Sequence, residues 1–193
     1  MAPSNILFGS KIRENAASTP YLESGILELL NVSDPKNPVK IGQYDASADP
    51  STFEDDFNAS TVTARAITIA NSNYAYLAVG PSGLMVLNVS NPATPIYFAS
   101  NSSFTYANDV KIGVLDNGFN EVIFVADVYG EGLVLLDGRQ PGNNLHFAAK
   151  WSNYNTHPYD SESYLQAWGV DINGNYAYVA AGDDGLVILD VSH

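Results

Sequence analysis

One pattern of about eighteen residues recurs along the chain and restricts the possible folds more than any other feature. Its clearest form, NYAYVAAGDDGLVILDVS, spans 175–192, and a close relative, NYAYLAVGPSGLMVLNVS, spans 73–90. EVIFVADVYGEGLVLLDG at 121–138 and a shorter PYLESGILELLNVS at 20–33 repeat it again. In the three full forms, two short apolar runs flank a turn containing Gly with Asp, Glu or Pro. This composition predicts a β-hairpin in each unit.

The spacing of the hairpins predicts the architecture. The second run of each hairpin closes at an Asn or an Asp, namely Asn31, Asn88, Asp137 and Asp190. These residues lie roughly 50 positions apart, close to the length of a four-stranded propeller blade. No helical periodicity of apolar residues is sustained along the chain. The predicted fold class is therefore all-β, a β-propeller of about four four-stranded antiparallel blades, of which the first is degenerate.

Each repeat unit divides into an innermost strand, the two hairpin strands and an outer strand. The outer strands are predicted to start at Val39, Ile96 and Leu145, each eight residues after the closing residue of its hairpin. On this alignment Phe147 is equivalent to Ile41 and Phe98. We expect a single domain over 1–193. Its units lie near 13–44, 63–100, 106–151 and 166–193.

The fourth unit has no outer strand after its hairpin, and two predictions follow. In the first, residues 5–10 align with the outer strands and pair beside Leu186–Val191, which closes the ring and covers its open edges. In the second, Asn5–Gly9 is the innermost strand of the first blade, and the chain is a piece of a larger propeller. The first unit departs from the others, since Glu28 stands where Met85 stands in the second unit.

Two segments carry a resemblance to a known family. GLVILDVS at 185–192 and GLMVLNVS at 83–90, with the connections DPKNPV at 34–39 and NPATPI at 91–96, resemble the LVIVD repeat. The resemblance extends over roughly residues 20–193. It implies a β-propeller, often within large surface or secreted proteins of bacteria and archaea, with no assigned catalysis. An extracellular or cell-surface location is therefore expected, although no signal peptide is visible in the first residues.

Composition excludes several classes of function. The net charge is −13 with only eight Lys and Arg, which argues against nucleic acid as a partner, because phosphate contacts need clustered cations. No run of 18 apolar residues predicts a membrane span. The absence of cysteine excludes disulfides, zinc–thiolate sites and a thiol nucleophile. No cofactor or metal site is predicted, because no phosphate-binding loop or calcium-loop spacing occurs.

A candidate binding site follows from propeller geometry, which places the starts of the innermost strands and the hairpin turns on one face. The strand starts align as Ala64-Arg65-Ala66, Ala107-Asn108-Asp109 and Ala167-Trp168-Gly169. A cation, an amide and an indole that converge there suit a carbohydrate or protein ligand. In the alternative, Trp168 fills the channel and Arg65 pairs with Asp109, a purely structural role. The candidate ligand-binding residues are Arg65, Asn108, Asp109, Asp127, Tyr129, His157 and Trp168.

The expected function is a noncatalytic binding or interaction module that uses the face formed by the starts of the innermost strands and the long connections 45–62 and 152–166. No catalytic motif is present. One alternative is a carbohydrate-active hydrolase or lyase at the same channel mouth, with His157 and Asp109 as acid–base groups. Another is a purely structural repeat fragment of a larger surface protein.

Overall fold

In the computed structural model, residues 6–13, 24–45, 66–70, 74–115, 121–138, 147–152 and 166–192 are described. Their fourteen strands form four antiparallel sheets, so the all-β prediction is confirmed. The first sheet contains β1 (Ile6–Arg13), β2 (Ser24–Asn31) and β3 (Val39–Asp45). The second contains β4 (Ala66–Ala70), β5 (Tyr74–Ala78), β6 (Leu84–Asn88) and β7 (Ile96–Asn101). The third contains β8 (Ala107–Gly113), β9 (Val122–Asp127), β10 (Gly132–Asp137) and β11 (Phe147–Trp151). The fourth contains β12 (Gly169–Asn173), β13 (Tyr176–Ala180) and β14 (Leu186–Asp190), with a 3-10 turn at Gly182–Asp184.

The residue that closes each hairpin has the same local role in three units. The side-chain oxygens of Asn31, Asn88 and Asp190 accept the backbone N–H of the serine two residues later, at 2.9, 2.9 and 3.0 Å. Asn and Asp stabilise turns in this way because their short side chains reach the backbone two positions on. The periodic Asn or Asp is therefore a turn residue that ends the second hairpin strand.

The outer strands also repeat one local irregularity. β3, β7 and β11 pair with β2, β6 and β10, and each pairing contains a β-bulge at the same place in the hairpin strand. β3 and β7 begin at the predicted residues. In the third unit the alignment was one residue off, because Phe147 pairs with Leu136 as Tyr97 pairs with Leu87. Phe147 is therefore equivalent to Tyr97 and not to Phe98.

The hydrophobic core lies between successive sheets, in three clusters. We call the face of a sheet that meets the next sheet its leading face, and the opposite one its trailing face. The leading-face residues Leu27 and Leu29 of the first sheet pack on the second sheet. Tyr76, Leu84 and Val86 of the second pack on the third in the same way, and Phe124 and Leu133 of the third pack on the fourth. The hairpin strands of the second and third sheets are buried on both faces, which explains their unbroken apolar runs.

The innermost strands of three sheets lie side by side. β8 contacts both β4 and β12. Ala66, Val110 and Val170 lie in these three strands, so the first strands of the second, third and fourth sheets are neighbours. The backbone N–H of each of Gly80 and Ala107 donates to the carbonyl of the other at 2.9 Å, and these two hydrogen bonds join the second sheet to the third.

The pairing of the first strand differs from both sequence predictions. β1 pairs with β2, and Ile6 lies opposite Asn31, as Tyr74 lies opposite Asn88 in the second sheet. Residues 6–10 are therefore a first hairpin strand and neither close the fourth sheet nor form an innermost strand. A short apolar hairpin strand has the same sequence pattern as a short innermost or outer strand, so the sequence does not distinguish them. The ten residues between β1 and β2 make their antiparallel pairing a short loop closure, which costs little entropy.

The fourth sheet leaves its leading face open among the described residues. Leu186 and Ile188 are 67% and 56% exposed. Their equivalents in the second sheet, Leu84 and Val86, are completely buried. At the other end of the row, the trailing face of the first sheet contains an ion pair between Glu28 and Lys40 at 2.9 Å.

The core between the second and third sheets contains one polar atom without a partner in the described part of the chain. Tyr76 is fully buried, and its hydroxyl forms no hydrogen bond there. Burial raises the pKa of this phenol well above its ordinary value, and the carboxylate of Glu121 raises it further. The third sheet carries Phe124 at the equivalent position, also fully buried.

Tyr76→Phe is expected to raise the free energy of unfolding by about 1 kcal/mol at pH 7, because it removes an unsatisfied buried hydroxyl. The stability difference between this variant and the wild type should grow as the pH rises above about 10. There the unfolded wild-type tyrosine loses its proton and the folded one keeps it, which destabilises the folded wild type alone. Urea unfolding at both pH values measures this. The matched control is Tyr178→Phe at the half-buried equivalent position in the fourth sheet. A Tyr76→Phe protein that is less stable than the wild type would show that the hydroxyl has a partner.

Candidate functional site

Five of the seven predicted site residues are described; four lie where the third sheet meets the fourth, and Asp127 lies beside them, under the turn of the third sheet. The five are Asn108, Asp109, Asp127, Tyr129 and Trp168. Arg65 and His157 fall outside the described residues, so their predicted places stay predictions. Tyr106 and Gln166, which the sequence analysis missed, complete the group. Tyr106 directly precedes β8, and Gln166 lies three residues before β12. They stand just before Ala107 and Ala167, so an alignment of strand starts that begins one residue earlier contains both.

Asp127 organises the backbone of this region. Its side chain is fully buried and accepts three backbone N–H groups, from Tyr106 at 2.7 Å, Glu131 at 3.0 Å and Thr105 at 3.3 Å. A Cβ at Gly130 would lie 2.0 Å from this carboxylate, so only glycine fits there. Because the Asp127 carboxylate is engaged by the backbone, its role is to hold the turn rather than to contact a ligand.

Tyr129 lies in the turn that Asp127 holds. Its φ of 66° is the one positive value among the described non-glycine residues. This left-handed conformation is costly for a bulky side chain, and it persists only where surrounding contacts enforce it. The third hairpin turn is one residue longer than the turns after Val79 and Ala181. The ring of Tyr129 remains 46% exposed, so a strained turn presents an aromatic side chain to solvent.

Three aromatic rings form a row at this junction. The ring centroid of Tyr129 lies 6.4 Å from that of Tyr106 and 5.9 Å from that of Trp168, both in edge-to-face geometry. These are the separations that aromatic pairs favour. Trp168 is 42% exposed, which is inconsistent with the alternative that its indole is buried as a channel plug.

The position of Trp168 is fixed from two sides. The side-chain amide of Asn108 donates to the carbonyl of Trp168 at 2.5 Å, and the indole N–H donates to the Gln166 side chain at 3.4 Å. A further backbone bridge joins Val128 to Gln166 across the two sheets. We call Tyr106, Asn108, Tyr129, Gln166 and Trp168 the aromatic rim. It offers exposed ring surface bordered by two side-chain amides.

Asp109 lies beside the rim and joins the two sheets. One carboxylate oxygen accepts the N–H of Val110 at 2.8 Å, and the other accepts the N–H of Val170 at 3.0 Å. Each oxygen is thus engaged by a backbone donor of an innermost strand. The predicted pairing with Arg65 involves a residue outside the described ranges. Across those ranges, no group of three His, Asp or Glu side chains is arranged to hold a metal ion. Likewise, none of the helical segments described there is long and apolar enough to cross a bilayer.

Comparison with known families agrees with the repeat pattern. A family model described as the LVIVD repeat matches residues 64–101 and 166–193. The first match contains all strands of the second sheet, and the second contains all strands of the fourth. The resemblance inferred from the sequence is therefore confirmed for these two units. No curated protein matches the chain.

Proposed function

We propose that this chain, which carries LVIVD repeats, is a noncatalytic binding module of the β-propeller type, and that it binds its ligand at the aromatic rim. The observation that carries the proposal is the pair of half-exposed rings of Tyr129 and Trp168, held together by a strained turn and a buried carboxylate. Strained residues concentrate at functional sites because folding alone gains nothing from them. We place the module in a surface or secreted protein, as the repeat family implies.

The propeller assignment is supported by the way the units repeat. Three innermost strands lie in a row, and each of the first three sheets packs its leading face on the trailing face of the next. Blades that surround a central axis would pack in this way. The starts of the innermost strands and the hairpin turns meet on one side of that row, where the rim lies.

Carbohydrate is the ligand class that suits the rim best. Exposed aromatic rings pack against the apolar faces of sugars. The amides of Asn108 and Gln166 border these rings and hold Trp168 in place. A protein ligand would use the same rings as anchors. The carboxylates of Asp109 and Asp127 are both occupied by backbone N–H groups, which supports binding rather than acid–base catalysis here. A hydrolase or lyase would depend on His157.

Trp168→Ala is expected to weaken carbohydrate binding at least about tenfold, because an exposed aromatic anchor typically contributes more than 1.4 kcal/mol. Binding is measured by calorimetry against a panel of soluble oligosaccharides, namely cellohexaose, xylohexaose, chitohexaose and mannohexaose. The chain has two tryptophans, so Trp151→Phe is the matched control and should leave affinity within about twofold.

Far-UV circular dichroism must remain unchanged for the comparison to hold. Equal affinity of the Trp168→Ala and wild-type proteins for a sugar that binds would place the site elsewhere. Turnover of any of these sugars, lost in His157→Ala, would favour the enzyme instead.

A further inference from the structure

One side-chain amide of the aromatic rim retains hydrogen-bonding capacity. The Gln166 side chain is half-buried, and its Oε1 accepts the indole N–H of Trp168 at 3.4 Å. An indole nitrogen only donates, so the oxygen of the carboxamide must face it. The Nε2 group remains for other partners, and it forms no hydrogen bond with the residues that the structure describes. Gln166 therefore offers a ligand two N–H donors beside an exposed ring.

The Gln166 carboxamide is held against the hairpin turn of the fourth unit. A Cβ on Gly182 would lie 1.8 Å from Oε1 and 2.8 Å from Cδ of Gln166, so the amide lies directly on the backbone of this glycine. The backbone of Gln166 also pairs with Val128 of the third unit. The side chain is therefore in place before a ligand arrives, which lowers the entropy cost of binding. The other amide of the rim differs, because Asn108 donates to the carbonyl of Trp168 at 2.5 Å.

The half-exposed rings of the rim bound a corner rather than a flat platform. The ring plane of Tyr129 makes an angle of 80° with that of Trp168, and the two centroids are 5.9 Å apart. Tyr106 continues the row at 73° and 6.4 Å from Tyr129. A flat sugar ring can stack on one of two perpendicular rings but not on both. A compact apolar substituent on that sugar, such as a methyl group, can contact the second ring.

The charges beside the rim restrict the charge of the ligand. The hairpin turn that contains Gly182 also contains Asp183 and Asp184, and the chain has a net charge of −13, so the local potential repels anions. An ammonium group accepts no hydrogen bond, so it would leave the N–H groups of Gln166 unpaired. A neutral group that accepts hydrogen bonds avoids both costs.

We infer that the aromatic rim recognises sugars that carry an acetamido group. The sugar ring stacks on Trp168, the methyl group packs on Tyr129, and the acetamido carbonyl accepts from Nε2 of Gln166. An acetamido group is neutral, accepts hydrogen bonds and ends in a methyl group, whereas a hydroxyl group has no apolar part. This inference rests on the proposed function and names the class of sugar within it.

The test compares three oligosaccharides that share length and linkage and differ in the substituent on the second carbon of each ring. Chitohexaose carries an acetamido group there, cellohexaose a hydroxyl group, and the hexamer of glucosamine an amine that mildly acidic buffer keeps protonated. Calorimetry with the wild-type protein should show that chitohexaose binds at least about tenfold more tightly than either of the others. In saturation-transfer NMR, the acetamido methyl protons should be among the most strongly saturated protons of the ligand.

Gln166→Glu tests the role of the amide, because it keeps an oxygen to face the indole and removes both N–H donors. It should weaken chitohexaose binding at least about tenfold. Cellohexaose binding should change by no more than about twofold, because a hydroxyl group can donate to the new carboxylate. Gln43→Glu, at an exposed position of the first sheet, adds the same charge outside the rim and is the matched control. It should leave both affinities within about twofold.

Chitohexaose that binds no more tightly than cellohexaose would overturn the inference and leave the proposed function intact. The same holds if mannohexaose or xylohexaose is the sugar that binds most tightly. A preference for chitohexaose that survives in Gln166→Glu, or methyl protons that receive little saturation, would also overturn it. If no sugar of the panel binds, the proposed carbohydrate ligand is wrong as well.

Discussion

Leu84→Ala is expected to lower the free energy of unfolding by about 3 kcal/mol, whereas Leu186→Ala should lower it by less than about 1 kcal/mol. The two leucines occupy the same position in the second and fourth sheets, opposite Ala78 and Ala180. Leu84 is completely buried on the third sheet, and Leu186 is 67% exposed. The chemical change is the same, but β6 also pairs with β7, whereas β14 has β13 as its one paired neighbour among the described residues. The difference therefore measures the covering sheet together with the outer strand. Urea unfolding of both variants measures it.

Leu133→Ala is the matched positive control, because Leu133 is the buried equivalent in the third sheet. It should resemble Leu84→Ala. If Leu186→Ala is as destabilising as the other two, something covers the leading face of the fourth sheet in solution. Repeating the unfolding at several protein concentrations then distinguishes self-association, which depends on concentration, from contact within one molecule.

Asp127→Ala is expected to lower the free energy of unfolding by about 3 kcal/mol or more. Three backbone N–H groups lose their buried acceptor, and each unsatisfied group costs about 1–3 kcal/mol where water cannot reach it. Asp127→Asn should cost less, because one side-chain oxygen remains as an acceptor. The turn at Tyr129 should also relax, so sugar binding at the rim should fall. Urea unfolding and near-UV circular dichroism of the aromatic rings measure the two effects.

The exposed Asp183, in the turn of the fourth unit, is the control for charge removal. Asp183→Ala should change stability by less than about 0.5 kcal/mol, as surface substitutions usually do. An Asp127→Ala protein with full stability and an unchanged near-UV spectrum would contradict the role assigned to this carboxylate. The position is specific to the third unit, because the equivalent residues are Val79 and Ala181, both buried and apolar.

The sequence shows that the third unit has an acidic residue, Asp127, where the second and fourth units have Val79 and Ala181. It does not show what the carboxylate binds. The sequence predicts Asp127 as a candidate ligand group on a hairpin turn. The structure shows that it points inward and that the neighbouring Tyr129 points outward. Its carboxylate is bound by the N–H groups of Thr105 and Tyr106, more than twenty residues away in the chain. Sequence reasoning cannot place such distant donors, because only the packing of the turn against the preceding connection brings them together.

The local features of this protein follow directly from its residues. Short apolar runs predict the strands, and the turn chemistry of Asn31, Asn88 and Asp190 sets where three of the hairpins end, because these interactions span only a few residues. The pairing of β1 with β2, the open leading face of the fourth sheet and the contact of Tyr129 with Trp168 became visible only in the folded structure. Strands of similar composition compete for the same partner, so their pairing depends on loop closure and on which faces are already buried. Both are properties of the whole chain.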